Sequence, residues 1–147
     1  MVDSLGLVEE YEDCVLSPTL TGIVDLSGNP LDWPLEDRPF IYIAGYFSAN
    51  PMHGTKNAIK WARVLLDAGW LPLVPHTSII FDMVAPQTPE FWYAYDLGLL
   101  QRCDALFVCP DELTKESVGV CDEIAYAVRH EIPVFYTVVQ AKDRYAR

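Results

Sequence analysis

The sequence predicts an α/β fold, a single domain with a parallel sheet flanked by helices and an N-terminal extension ahead of it. Three observations point there. Continuous apolar runs without polar alternation, such as Phe40-Ile41-Tyr42-Ile43-Ala44 and Ala105-Leu106-Phe107-Val108-Cys109, mark strands covered on both faces. Between them lie segments with apolar residues at helical spacing, and strands that alternate with helices pair in parallel through crossovers. The chain has 147 residues, 51% of them hydrophobic, which suits one compact domain with a sizeable core.

The first 38 residues read differently from the rest. They hold nine acids (Asp3, Glu9, Glu10, Glu12, Asp13, Asp25, Asp32, Glu36 and Asp37) against Arg38 alone, so most of the net charge of −11 belongs to this arm. Two short apolar stretches flank Ser27-Gly28-Asn29-Pro30, which fits a small hairpin or an extended segment laid over the body. Residues 32–39, with Pro34 and Pro39, read as a linker, and the expected domain runs from 39 to 147.

The first buried strand is Phe40 to Ala44, ending at Gly45. Asn50-Pro51 then starts a helix with Pro in its first turn; Ala58, Ile59, Ala62, Leu65 and Leu66 recur on one face, and Gly69 stops it. Leu71-Pro72-Leu73-Val74 is a short strand whose proline suits an irregular or edge position. The stretch from Pro75 to Pro89 is expected to be a functional loop or lid. A helix from Phe91 to Arg102, a strand from Ala105 to Cys109, a helix from about Ser117 to Arg129 and a last strand from Pro133 to Val139 complete the pattern.

Composition excludes several functions. An excess of acids repels a phosphate backbone, so a nucleic-acid polymer is not the expected partner. A single small anion is not excluded, because one helix N-terminus can hold a phosphate. No apolar run approaches the roughly 20 residues of a membrane span. The N-terminus has no basic, apolar signal segment, and Cys14, Cys103, Cys109 and Cys121 form no CxxC pair, so a cytoplasmic protein with reduced thiols is expected. His53, His76 and His130 lack ligand spacing, and no metal site is expected.

Open parallel sheets place their sites at the C-terminal ends of strands, which singles out the loops after Gly45, Pro75 and Pro110. None carries GxxxxGK[ST] or GxGxxG, so neither nucleoside-triphosphate hydrolysis nor dinucleotide binding has its usual support. Ser117-Val118-Gly119-Val120-Cys121-Asp122-Glu123 is the most informative stretch. Ser117 is a good N-cap, Gly119 leaves the first turn open to a ligand, and Glu123 falls at the edge of the buried face between Val120 and Ala127. A carboxyl there is partly desolvated, which raises its pKa. The bland alternative is a capping serine and a solvated helix acid. Asp96 sits among Phe91, Trp92, Tyr93 and Tyr95; such aromatics can stack on a planar heterocycle while the acid binds or protonates its nitrogen, or they can simply form core or a subunit contact.

These features, taken in order, resemble the nucleoside 2-deoxyribosyltransferase superfamily. The residues that carry the resemblance are Ile41-Tyr42-Ile43-Ala44-Gly45, Gly69 through Pro75-His76, Asp96 ahead of Cys103-Asp104-Ala105-Leu106, and Ser117-x-Gly119-x-x-x-Glu123. The similarity extends to its small bacterial and phage members and to the 2'-deoxynucleoside 5'-phosphate N-hydrolases, and covers about residues 40–138. It implies a flavodoxin- or Rossmann-like fold and cleavage of an N-glycosidic bond, with transfer of the deoxyribosyl group to another base or to water. Glu123 matches the nucleophile, Asp96 the acid that assists the leaving base or positions the sugar, and Tyr42 a tyrosine that orients the nucleophile. Gly45, Tyr46, Ser48, His76, Trp92, Ser117 and Gly119 are the expected substrate-binding residues. No cofactor is implied, and a homo-oligomer is, with subunits completing each other's sites. Ser117 at a helix N-terminus leans toward a 5'-monophosphate, whereas the first loop, Gly45-Tyr46-Phe47-Ser48-Ala49-Asn50, lacks the arginine those hydrolases carry. The alternative from another class is a non-catalytic nucleotide-binding or sensing module, against which the joint presence of Tyr42, Asp96 and Glu123 argues.

Overall fold

A computed structural model describes residues 13–14, 23–24, 27–31 and 33–144. The chain divides into two compact units, Met1–Asp32 and Trp33–Arg147. In the first, Val24 and Pro30 form an antiparallel bridge and Leu31 N–H donates to the Ile23 carbonyl, closing a small hairpin around Gly28 at φ 87°. That left-handed turn is the conformation glycine adopts without strain. The rest of the acidic arm lies outside the described residues.

The second unit is an α/β domain. Strands β1 (Phe40–Ala44), β2 (Leu71–Leu73), β3 (Ala105–Val108) and β4 (Val134–Phe135) form an all-parallel sheet in the order β2-β1-β3-β4. Helices α1 (Pro51–Asp67), α2 (Ser78–Val84), α3 (Pro89–Gln101), α4 (Glu112–Lys115), α5 (Val118–Arg129) and α6 (Val138–Arg144) connect and cover it. Pro72 lies on the edge strand β2, where its missing N–H faces no further strand.

Strand parity divides the core into two layers. Ile41, Ile43, Ala105 and Phe107 pack with Ala58 and Leu65 of α1 and Ala141 of α6. Tyr42, Ala44, Leu106 and Val108 face the other way, against Leu100 of α3 and Val120 and Ala127 of α5. Successive residues of a strand point to opposite faces, so Tyr42 is committed to the α3–α5 side. The chain runs from β1 outward to β2 and then back across to β3. The switch point therefore falls between the ends of β1 and β3, the place where open α/β sheets bind ligands.

Three segments depart from the sequence reading. Residues 33–38 are no free linker: Leu35–Asp37 form a 3-10 turn, and buried Arg38 donates from Nε to the Trp33 carbonyl and from Nη1 to those of Leu66 and Trp70, at 3.0, 2.7 and 3.3 Å. The stretch after β2 is a 3-10 turn, Pro75–Thr77, followed by α2, not an open loop. The last strand is only Val134–Phe135, because Thr137 starts a helix: its Oγ1 accepts from Gln140 N–H at 3.1 Å, and Gln140 Oε1 accepts from Tyr136 N–H at 2.8 Å.

Candidate active site

The site is built where β1, α2, α3 and α5 meet. Tyr42 of β1 rises from the sheet face that α3 and α5 cover; Asp96 comes from α3 and Glu123 from α5. The Asn50 side chain caps α1 by accepting from His53 N–H at 3.2 Å, and Thr88 caps α3 by accepting from Phe91 N–H at 3.1 Å. Ser117 caps α5 through Val120 N–H at 3.3 Å. The caps of α3 and α5 set where those helices begin and hence which turn of each faces the cavity; α1 contributes no lining residue.

The cavity they enclose measures about 460 Å³, a volume suited to a small organic ligand. It is lined by Tyr42, Glu123 and Asp96, by Gly45, Ser48, His76, Trp92, Ser117 and Gly119, and by residues the sequence did not single out as ligand contacts. Nine of the ten expected residues thus come together. Tyr46 does not line it. Its ring turns toward α1, stacks on His53 with centroids 5.8 Å apart, and its hydroxyl bonds His53 Nδ1. Its backbone is what serves the site: the carbonyl accepts from His76, and the N–H donates to Thr114 Oγ1 at 3.3 Å, tying the first loop to α4.

Buried polar side-chain atoms are normally hydrogen-bonded. Among the described residues three such atoms have no partner: the Tyr42 hydroxyl, Asp96 Oδ1 and His76 Nδ1. All three residues line this one cavity. The Tyr42 hydroxyl lies beside the Glu123 carboxyl, close enough that each shifts the other's acidity, though no acceptor stands in full hydrogen-bonding geometry.

Burial dominates the electrostatics. It pushes the Asp96 carboxyl up to about 7. Glu123 is pushed up to about 8 by burial, against the lowering effect of Tyr42 and with added repulsion from Asp96 and Asp122. Tyr42 is itself raised well above an ordinary phenol, first by burial and then by Glu123 and Asp96. Two carboxyls that both resist ionisation in one cavity titrate as a pair and hold one proton between them near neutrality.

The residues missed by sequence reasoning come chiefly from α2 and its connection. Asp82 Oδ1 accepts from the Trp92 indole N–H at 2.6 Å and from Gln87 N–H at 3.0 Å, and these bonds hold its carboxyl below the usual range. The indole is thereby fixed against the cavity, with Phe81 edge-on at 5.1 Å. Phe47 contributes from the first loop; Tyr93, already singled out among the aromatics beside Asp96, lines the cavity from α3, its phenol pushed up to about 12 by burial and by Asp122. Among the described residues no three His, Cys, Asp or Glu side chains are grouped to hold a metal ion. No described helix is long and apolar enough to cross a membrane.

Residues 39–137 match the family described as a domain of unknown function, DUF7768, and the chain belongs to that family. No curated protein and no solved structure matches the chain.

Proposed function

We propose that this member of the DUF7768 family cleaves the N-glycosidic bond of a deoxynucleoside or its 5'-monophosphate and passes the sugar to water or to another base. The observation that carries this reading is the convergence of the unpartnered Tyr42 hydroxyl, Asp96 Oδ1 and His76 Nδ1 on one cavity with the partly buried Glu123. A structural core has no use for four such groups in one place. An oxocarbenium-like centre and a leaving base do, since the first is met by a carboxylate and the second by a proton donor.

In this scheme ionised Glu123 attacks the anomeric carbon and forms a bond to it. The bond from that carbon to the base nitrogen breaks, its electron pair leaves with the base, and the proton of Asp96 passes to the departing base. Of the two, Glu123 holds its proton to the higher pH; the positive charge that develops at the anomeric carbon favours the carboxylate facing it and reverses that order, so the shared proton moves to Asp96. In the second step a water or a second base attacks the same carbon, the bond to Glu123 breaks, and the incoming proton returns to Asp96. Tyr42 steadies the ionised carboxyl of Glu123. Trp92, held by Asp82, and Phe47 offer apolar surface to the base.

The reading includes a homo-oligomer. Helix α2 has no buried residue, and Ile80, Phe81, Met83 and Val84 are 66, 51, 77 and 83% exposed beside Phe91 and Tyr95. An apolar surface of that kind suits a subunit contact. A monomer mass by light scattering would count against it.

The functional test is incubation with a panel of deoxynucleosides and 5'-monophosphates, with and without a second base, following free base by chromatography. Released base supports the reading, and a new nucleoside in the mixed samples assigns transfer over hydrolysis. Intact nucleotide bound with no base released from any sample assigns the cavity to binding alone.

A further inference from the structure

The three segments that leave the sheet beside the cavity are joined through one peptide. Gly45 and Tyr46 follow β1, His76 lies in the turn after β2, and Thr114 stands on α4 after β3. Carbonyls only accept, so His76 Nε2 carries the hydrogen and donates to the Gly45 carbonyl at 3.0 Å and to that of Tyr46 at 3.1 Å. The other end of the Gly45–Tyr46 peptide, the Tyr46 N–H, donates to Thr114 Oγ1 at 3.3 Å. The Thr114 carbonyl in turn accepts from the N–H of Ser117, the cap of α5, at 3.1 Å. One run of hydrogen bonds thus reaches from the turn after β2, through the first loop, to the start of the helix that carries Glu123.

Thr114 is turned inward at the expense of an apolar neighbour. It is 1% exposed, while Leu113 beside it on α4 is 40% exposed. Apolar packing alone would bury the leucine, and a buried hydroxyl is costly unless it is bonded. Here it meets the N–H of Tyr46, a residue that is itself buried. Asp111 fixes this register of the helix by accepting from Leu113 N–H at 2.7 Å.

Little else holds the first loop. Among the described residues, the hydrogen bonds to the backbone of residues 45–49 come from His76 and Thr114 alone. Gly45, Phe47 and Ser48 line the cavity from this loop, whereas Thr114 does not reach it. We infer that Thr114 is a positioning residue: its hydroxyl, through the Gly45–Tyr46 peptide, holds Phe47 and Ser48 in the wall that meets the ligand. Removing the hydroxyl leaves the backbone bond to Ser117, and with it the start of α5, in place. Thr114 therefore governs how tightly a ligand is held and not the rate of the chemical step. The inference rests on the glycosidase reading only for the substrate used to measure it.

Thr114→Val removes the hydroxyl at nearly constant volume, and Thr114→Ser keeps it. In steady-state base release from the best-cleaved natural deoxynucleoside, Thr114→Val should raise KM at least about tenfold with kcat within about threefold of the parent, and Thr114→Ser should recover most of the loss. Amide exchange of the full chain without ligand, followed by NMR, gives a second reading. In Thr114→Val the Tyr46 N–H should gain at least about tenfold more in exchange rate than the amides of Leu106 and Phe107 in β3. A fall in kcat at unchanged KM, or Thr114→Ser behaving as Thr114→Val, overturns the inference. So does equal acceleration at Tyr46 and in β3, which would make the threonine a general packing residue. If the parent cleaves no deoxynucleoside, the glycosidase reading falls and exchange at Tyr46 decides the tie by itself. Should Thr114→Val fail to fold, the parent decides it: a Tyr46 N–H at least about 100-fold slower than those of Ser48 and Ala49 supports the tie, and equal rates overturn it.

Discussion

The hydroxyl of Tyr42 on β1 lies against the carboxyl of Glu123 on α5, and of the influences on that carboxyl it alone favours the ionised form. Burial, Asp96 and Asp122 all favour the protonated form. In Tyr42→Phe the affinity of Glu123 for its proton should therefore rise further. The acidic limb of the pH profile of kcat/KM should move to higher pH, with kcat reduced about 10- to 100-fold. Stability should hold or increase, because the hydroxyl removed is buried and unpartnered. A lower Tm with an unshifted pH profile would reduce Tyr42 to a packing residue.

For the parent protein the profile should be bell-shaped. Below about 7 both carboxyls are protonated and the nucleophile is lost; above about 8 both are ionised and the acid is lost. Steady-state rates of base release between pH 5 and 10 would check this, and a single plateau across that range would contradict it.

Asp96 is held at a cost to stability. Its carboxyl titrates near 3.8 when unfolded and about 7 in the fold, so the folded state binds the proton more tightly. Its contribution is fully present below the unfolded value and is lost as pH rises through about 7. Asp96→Asn, which cannot ionise, should be more stable than the parent at pH 8 by on the order of 2 kcal/mol, with the advantage shrinking toward pH 5. Activity should fall at least about 100-fold. Urea titrations at the two pH values read the first effect, and the opposite pH trend would contradict the burial argument.

Two glycines should respond in opposite directions to alanine. A Cβ at Gly54 would stand 2.3 Å from the Tyr46 carbonyl oxygen, a backbone atom that also accepts from His76. Gly54→Ala should cost at least about 2 kcal/mol and disturb the first loop. Gly98, inside α3, has nothing within 4 Å of that position, so Gly98→Ala should stabilise by about 0.5–1 kcal/mol. Thermal unfolding of the pair checks the packing of α1 under the first loop.

The grouping of Tyr42, Asp96 and Glu123 around one cavity was legible through the family resemblance, and regular elements explain why it holds. Strand parity assigns Tyr42 to one face of the sheet, and helical spacing from Val120 and Ala127 puts Glu123 at the edge of that face. Past Ala44 the alternation ends, and nothing local says which way Tyr46 turns; stacking on His53 decides it. Helix α2 went unseen because it buries no residue and so has no apolar period, and three of its seven residues, Ile79, Ile80 and Val84, are β-branched. Asp82 was lost with it. The Thr137-x-x-Gln140 start signal of α6 was present in the sequence, but the apolar run Val134 to Val139 reads equally as strand.

Rapid quenching during turnover of a deoxynucleoside, followed by peptide mass mapping, reads the proposed bond between sugar and Glu123 itself. A deoxyribosyl group is expected on the peptide carrying Glu123, with its bond to that carboxyl, and neither adduct nor base release in Glu123→Gln. Full turnover by Glu123→Gln, or base release with the sugar carried on any other residue, would contradict it.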